Sequence, residues 1–311
     1  MQNYSCQYEN GSTVTVFAPY DCGNHCPFCV NKKDYQGSNG FDVEKTIESM
    51  WKMHDITPSC DFVFTGGEPF ADLGALERLL KNVKEMNMKS LALRATPHKL
   101  FVNTTFPLEK NKLEDMLAII KKYDDVITGL NVSRHIKKYV KECDDSVFDL
   151  IPVPVRINCV LFQAEDGFEA ANFISRFEGR KSIVGIQFRE DYTLTTLDNL
   201  YILDNDEVPT FRNVLKSLGI VGTENIEKWF KDNCLAKNDF RWNCAVKNDN
   251  ITYHRTLPFS TIKKEDETLE INDIIINPRG FIMSDWNEYG HELDLEAYRD
   301  RKFNYANCWS S

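Results

Sequence analysis

Three cysteines lie within eight residues of the chain, at Cys22, Cys26 and Cys29, with the spacing C-x3-C-x2-C. Three thiolates on one short loop can hold three irons of a cubane cluster and leave the fourth iron open to a small molecule. A structural zinc site normally takes four ligands, and His25 could supply the fourth. Chance crowding of buried cysteines is a further interpretation. The loop alone therefore leaves the kind of metal site open.

A run of Gly66, Gly67, Glu68 and Pro69 is the second pattern that could do chemistry. Two glycines let the backbone come close to a ligand, and a glutamate adds an acceptor for an ammonium group. The same residues could also form an ordinary turn between a strand and a helix. The choice between these interpretations depends on where the run lies in the fold.

Both patterns follow predicted β-strands in a part of the chain where strands and helices alternate. Runs rich in β-branched and aromatic residues predict strands at 13–17, 61–65, 100–103, 126–132, 155–161 and 182–189. Apolar residues at helical spacing predict a helix capped by Asp42, helices that contain 76–83, 113–120 and 168–177, and a further helix at about 137–143. This alternation predicts βαβ units and a parallel sheet. Such sheets bind ligands beyond the C-terminal ends of their strands, where both patterns lie.

With these patterns in place, the sequence resembles the radical SAM superfamily. Cys22, Cys26 and Cys29 match its C-x3-C-x2-C signature, and Phe28 matches the aromatic residue that precedes the last cysteine. The Gly-Gly-Glu-Pro run matches its second motif. The resemblance covers about residues 12–190 and implies a partial (β/α)6 barrel. It further implies a [4Fe-4S] cluster held by the three cysteines, with S-adenosylmethionine (SAM) as the second cofactor.

The resemblance also assigns cofactor contacts to single residues. The backbone of Phe28 would lie against the adenine of SAM, and Gly66, Gly67, Glu68 and Pro69 would bind its amino group. Polar residues on the later strands are further candidates for SAM contacts: Asn103 on the third strand, Ser133 and Arg134 on the fourth, Asn158 on the fifth and Gln187 on the sixth. Each of these could equally be a solvated strand end or a satisfied polar group of the core.

The reaction that the resemblance implies is reductive cleavage of SAM to methionine and a 5′-deoxyadenosyl radical, which abstracts a hydrogen from a substrate. A flavodoxin or ferredoxin would supply the electron. The first hypothesis for the substrate is a small molecule, such as a nucleotide, a sugar or a related metabolite. The second is a peptide or protein that the C-terminal part of the chain would bind. A zinc-binding protein without catalysis is a third hypothesis, of another class.

The alternation ends near residue 190, which predicts a barrel domain at 1–190 and a smaller α+β extension at 191–311 that caps the substrate pocket. We expect helices at 207–218 and 224–233, followed by hairpins that pair 240–246 with 251–256 and 270–277 with 281–286. Cys234, Cys244 and Cys308 are too widely spaced to predict an auxiliary cluster. Cys244 is the candidate hydrogen donor of the radical reaction, with a packed core thiol as the alternative.

The composition excludes several classes of function. The formal charge of −10 disfavours nucleic acid as the main partner, because phosphate contacts need clustered Lys and Arg. No run of about 18 apolar residues occurs, and the N-terminus is polar, so we expect no membrane association and a cytoplasmic location. In that compartment the ten cysteines are not expected to form a disulfide framework.

Overall fold

The structure, a computed structural model, describes the chain in fifteen segments, to which all structural statements below refer. They are residues 3–6, 13–18, 22–29, 40–58, 60–106, 110–137, 139–162, 169–191, 234–238, 241–246, 249–254, 261–263, 265–271, 273–286 and 291–303. The predicted helices at 207–218 and 224–233 and Cys308 lie outside these segments. Among the described residues, no helix has the length and apolar character needed to cross a membrane.

The strands are β1 (Tyr4–Cys6), β2 (Thr13–Ala18), β3 (Phe62–Gly66), β4 (Leu100–Thr104), β5 (Gly129–Ser133), β6 (Val155–Leu161), β7 (Ile183–Glu190), β8 (Cys234–Asn238), β9 (Arg241–Val246), β10 (Asp249–His254), β11 (Thr261–Lys263), β12 (Leu269–Ile271), β13 (Asp273–Ile276), β14 (Ile282–Met283) and β15 (Lys302–Phe303). The helices are α1 (Val43–Ile56), α2 (Leu73–Ala92), α3 (Lys110–Lys122), α4 (Ala170–Ser175) and α5 (Leu295–Arg299), with 3-10 helices at Pro69–Ala71 and Asp145–Leu150. From β2 to β7, strands alternate with helical segments. This confirms the predicted α/β class and gives the strand–helix order of a partial (β/α)6 barrel.

The chain divides into two compact units. The first comprises residues 1–24, 29–130 and 259–306, and the second comprises 25–28, 131–258 and 307–311. The residues of the predicted extension are thus distributed over both units. The boundary at residue 190 stays a prediction about domain organisation.

In the first unit, one sheet has the strand order β14-β13-β2-β3-β4. Strands β2, β3 and β4 are parallel, and β13 joins the other side of β2, also in parallel. The Thr15 hydroxyl donates to Asp273 Oδ1 at 3.0 Å across this last pair. A smaller sheet has the order β11-β12-β1-β15. The predicted hairpin around Pro278-Arg279-Gly280 is confirmed between β13 and β14, although its strands are shorter than expected.

The helices of the first unit begin where the sequence places side-chain caps. The Asp42 carboxylate accepts a hydrogen bond from Lys45 N at 3.0 Å, and α1 begins at the next residue, as predicted. Asp72 caps α2 in the same way through Ala75 N at 2.9 Å. The predicted apolar stripe of α2 is fully buried, as its members Leu76, Leu79, Leu80 and Val83 show. These caps and this stripe fix the helices that follow β2 and β3.

In the second unit, the strand order after β5 is β6-β7-β10-β9-β8. Strands β6 and β7 are parallel, and β10 pairs with β7 in parallel as well. The predicted hairpin between β9 and β10 is confirmed, with antiparallel pairing from Asp249 opposite Val246 to His254 opposite Arg241.

The predicted helix at 137–143 is wrong. The described residues of that stretch form no helix, and a 3-10 helix begins only at Asp145. Its start is fixed by Asp144, whose carboxylate accepts from Ser146 N at 2.9 Å. Glu142, just before this cap, is held by Arg176 Nη2 at 2.8 Å. Tertiary ion pairing and a local cap therefore override the weak helical pattern.

Two buried histidines of the first unit make its stability depend on pH. His54 Nδ1 lies 2.7 Å from His98 Nε2, and His98 Nδ1 lies 2.7 Å from the Cys60 carbonyl oxygen. Because a carbonyl only accepts, His98 carries its proton on Nδ1, and its Nε2 accepts from His54. Burial lowers the pKa of His98 to about 4, from an ordinary value of 6.5. Both rings are therefore neutral in the folded protein near pH 7.

We expect the unfolding free energy to fall as the pH drops from about 7.5 to about 5, because the unfolded chain then binds a proton that folded His98 does not bind. The loss at about pH 5 should approach about 2 kcal/mol, since each pKa unit is worth about 1.4 kcal/mol. Urea unfolding at the two pH values measures it. The His98→Gln variant should show a flatter pH dependence; equal slopes in both proteins would contradict the assignment.

Candidate cofactor site

The cysteine loop and the Gly-Gly-Glu-Pro run leave neighbouring parallel strands at the same edge. Strand β2 ends at Ala18, four residues before Cys22, and β3 ends at Gly66. Ala18 and Gly66 are register partners in the β2–β3 pair. The sequence predicted that each pattern follows a strand; the structure adds that the two strand ends are adjacent.

Gly66 is required by this close approach of the two strands. Its φ is +122°, a conformation that residues with a side chain rarely adopt. A Cβ built at this position would lie 2.6 Å from the carbonyl oxygen of Ala18. Because that atom belongs to the backbone of β2, no side-chain rotation can relieve the overlap. The first glycine of the motif thus serves the packing of strand ends as well as any ligand.

The Glu68 carboxylate accepts four hydrogen bonds from the protein. Oε1 accepts from Thr104 Oγ1 at 2.7 Å and from Phe70 N at 3.2 Å. Oε2 accepts from Thr105 N at 2.8 Å and from Thr105 Oγ1 at 2.9 Å. Burial raises the pKa of Glu68, and these bonds oppose that rise only in part. The carboxylate thereby ties the end of β3 to the end of β4.

Two further contacts extend this group of polar residues. Asn24, which lies between Cys22 and Cys26, donates through Nδ2 to Thr105 Oγ1 at 3.2 Å. Asn103, a predicted SAM contact, donates through Nδ2 to Thr65 Oγ1 at 3.2 Å. The sequence did not single out Thr105, Thr65 or Asn24, because single polar residues after strands carry no spacing signal.

Cys22, Cys26 and Cys29 are partly exposed thiols. Within the fifteen described segments, no three His, Cys, Asp or Glu side chains converge closely enough to hold a metal ion. The chemistry of the donor set nevertheless fits an iron–sulfur cluster, since three thiols on one exposed loop are its usual ligands. Their role as cluster ligands stays a prediction.

Asn158 supplies a second test of fit to SAM, in the second unit. Its Oδ1 is buried and has no hydrogen-bond partner among the described residues. Buried polar atoms are nearly always paired, so an orphaned carbonyl oxygen indicates a missing donor. Asn158 is the register partner of Gln187, which is also buried. These two predicted SAM contacts are therefore cross-strand neighbours, and their contact with SAM stays a prediction.

Arg134 is fully buried among charged groups of the second unit. Its Nη1 donates to the Ser133 carbonyl at 2.9 Å, and its Nε lies 3.5 Å from Asp145 Oδ1. Arg176 pairs with the same carboxylate and with Glu142. The structure thus gives the Arg134 guanidinium contacts within the protein. The SAM contacts of Ser133 and Arg134 that the resemblance implies stay predictions.

Phe28 packs into an aromatic cluster that the sequence did not predict. Its ring centroid lies 4.8 Å from that of His135, 5.6 Å from that of Tyr139 and 5.7 Å from that of Phe162. His135 Nδ1 accepts from Val160 N at 3.1 Å, and burial lowers its pKa to about 3, so the ring is neutral. The contact of the Phe28 backbone with the adenine of SAM stays a prediction.

Cys244, the candidate hydrogen donor, lies on β9. Its register partner on β10 is Ile251, and its partner on β8 is Cys234. The two cysteines are therefore cross-strand neighbours, although ten residues separate them in the sequence. The role of Cys244 stays a prediction.

Comparisons with known proteins bear on this site. The model of a family described as "4Fe-4S single cluster domain" matches residues 10–138, which include both motifs. No curated protein matches the sequence.

Three solved structures are similar. Streptococcus suis SuiB bound to S-adenosylmethionine has a TM-score of 0.51 and 13% identity, covering 98% of this chain and 65% of that chain. Native anSMEcpe with bound AdoMet and Cp18Cys peptide has a TM-score of 0.44 and 17% identity, covering 73% of this chain and 60% of that chain. The Kp18Cys complex of anSMEcpe has a TM-score of 0.47 and 20% identity, covering 73% and 61%.

The chain thus spans less than two thirds of the length of each of these solved proteins. The likeness to SuiB shows a shared fold. The cluster-domain match covers the two motifs, which lie at adjacent strand ends.

Proposed function

We propose that this chain is a radical SAM enzyme whose cofactors are a [4Fe-4S] cluster and SAM. The observation that carries the proposal is the register of Ala18 with Gly66, which brings the cysteine loop and the Gly-Gly-Glu-Pro run to one edge of adjacent parallel strands. Ligands of parallel α/β sheets bind at that edge. The match to a 4Fe-4S single cluster domain covers both motifs.

Each cofactor has residues suited to hold it. Cys22, Cys26 and Cys29 would ligate three irons and leave one iron open. When bound, the cluster would supply the low-potential electron for reductive cleavage of SAM, the chemistry that yields methionine and a 5′-deoxyadenosyl radical able to take a hydrogen atom from the substrate. The glycines at the end of β3 would let the backbone lie against SAM. Asn158, in the second unit, stays a candidate SAM contact through its orphaned Oδ1.

The substrate that we propose is a small molecule such as a nucleotide, a sugar or a related metabolite, and a peptide or protein is the alternative. The wide spacing of Cys234, Cys244 and Cys308 supports the first, because it does not match a dense auxiliary-cluster motif. A flavodoxin or ferredoxin is the proposed electron donor. Metabolite and peptide pools can be compared by the rate of 5′-deoxyadenosine formation. A pool that contains the substrate should raise this rate above the rate without substrate.

The function is tested by anaerobic reconstitution of the chain with iron and sulfide, followed by addition of dithionite and SAM. We expect a brown protein with about four irons per chain and formation of 5′-deoxyadenosine that depends on the reductant. Metal analysis distinguishes the competing hypothesis. A colourless protein with one zinc and no SAM cleavage would contradict the proposal and favour a zinc-binding protein.

A further inference from the structure

We propose that Thr105 is a positioning residue that links the cysteine loop to Glu68. We further propose that the Glu68 carboxylate sets the geometry of the cofactor site and does not itself accept the ammonium group of SAM. The inference rests on the proposed function, because it concerns how the same site is held together.

The first step is a continuous chain of hydrogen bonds within the first unit. Asn24 Nδ2 donates to Thr105 Oγ1 at 3.2 Å, and Thr105 Oγ1 donates to Glu68 Oε2 at 2.9 Å. A threonine hydroxyl can accept and donate at the same time, so Thr105 is the middle member of this chain. Its backbone N–H reinforces the second bond at 2.8 Å to the same oxygen. Asn24 lies between two of the predicted cluster ligands, and Thr105 follows β4.

The second step concerns the capacity of the carboxylate. An ionised carboxylate has about four lone-pair sites. Thr104 Oγ1 and Phe70 N occupy Oε1, and the two donors of Thr105 occupy Oε2. An ammonium group could bind Glu68 only by displacing one of these donors.

The third step is that these hydrogen bonds link the C-terminal ends of three strands. Glu68 follows β3, Thr105 follows β4, and Asn24 belongs to the loop after β2. Three consecutive parallel strands are therefore joined at their C-terminal edge by one carboxylate, one hydroxyl and one amide. Hydrogen bonds to an ionised group are the strong ones, so the carboxylate anchors the chain. Loss of the Thr105 hydroxyl should displace the segment that carries Cys22 and Cys26.

The test uses the full chain, reconstituted anaerobically, with Thr105→Val, which keeps the shape of the side chain but removes the hydroxyl. We expect the dissociation constant for SAM to rise about tenfold, as loss of one hydrogen bond to a charged group predicts. The electron paramagnetic resonance spectrum of the reduced cluster with SAM should also change. Thr105→Ser restores the hydroxyl and should restore both values.

A matched control is Thr128→Val. Thr128 Oγ1 accepts from Leu100 N at 3.0 Å, at the opposite end of β4, so this variant also loses one threonine hydrogen bond in the same unit. It should leave the affinity for SAM and the spectrum unchanged. If Thr105→Val does not fold, Asn24→Ala removes the first bond of the chain and carries the same expectation.

Glu68→Gln separates positioning from direct binding of the ammonium group. Under the proposal, this variant loads less iron and has an altered spectrum, and adding Thr105→Val to it weakens SAM binding no further, because both changes break one unit. Wild-type iron content, SAM affinity and spectrum in Thr105→Val would overturn the inference while leaving the proposed function intact. A wild-type chain that takes up no cluster would overturn both.

Discussion

Cys26→Ala is expected to abolish both iron uptake and SAM cleavage. The three thiols of the loop are the predicted ligands of three irons, and two thiols cannot hold a cluster that depends on three. After anaerobic reconstitution we expect the iron content to fall from about four per chain to near zero, with no detectable 5′-deoxyadenosine. Iron and sulfide analysis and chromatography of the products measure these quantities.

Two matched variants make this result specific. Cys143→Ser removes a thiol that, like Cys26, is only partly buried, but it lies outside the loop and should leave iron uptake unchanged. His25→Ala should also leave it unchanged, since a three-thiol cluster needs no imidazole. Loss of metal in His25→Ala would indicate a four-ligand zinc site instead. Normal SAM cleavage by the Cys26→Ala variant would contradict the assignment of the three cysteines as cluster ligands.

Gly66→Ala is expected to have the largest effect on folding. At φ +122° an alanine is strained, which alone costs about 1–3 kcal/mol. The new Cβ would also lie 2.6 Å from the Ala18 carbonyl oxygen, so β2 and β3 would have to separate at the edge that carries both motifs. We therefore expect a loss of about 3 kcal/mol or more in unfolding free energy, together with loss of SAM binding.

Gly179→Ala is the control for the backbone strain. Gly179 has a φ of +78°, but a Cβ there would meet no atom within 4 Å. This variant should therefore lose only the conformational part, about 1 kcal/mol. Urea denaturation compares the two proteins. Equal destabilisation would mean that the approach of Gly66 to Ala18 contributes nothing.

The local elements of the fold could be predicted because their signals are local. Runs rich in β-branched and aromatic residues predicted β3, β4 and β6 closely, and the Asp42 cap predicted the start of α1. The parallel pairing of β13 with β2, and of β10 with β7, left no such signal, because each joins segments far apart in the sequence. The prediction of a helix at 137–143 was wrong for the same reason, because the ion pair between Glu142 and Arg176 joins segments far apart in the sequence.

The candidate site divides in a similar way. The cysteine loop and the Gly-Gly-Glu-Pro run are contiguous patterns and were visible in the sequence. Their supports come from separate segments: 81 residues separate Asn24 from Thr105, and Phe28 meets His135, Tyr139 and Phe162 only through the fold. Asn158 was a candidate by position alone, and its orphaned oxygen became visible only in the structure.

The pairing of β13 with β2 affects how the cluster-binding region can be isolated. A fragment limited to residues 10–138, the span of the cluster-domain match, would contain β2 without the strand that covers its outer side. The unpaired backbone N–H and C=O groups on this edge of β2 would lie next to the cysteine loop. They would be able to pair with strands of other molecules, which favours aggregation. The cluster-binding region therefore depends on β13, a strand that lies some 258 residues after β2 in the chain, to cover one edge of β2.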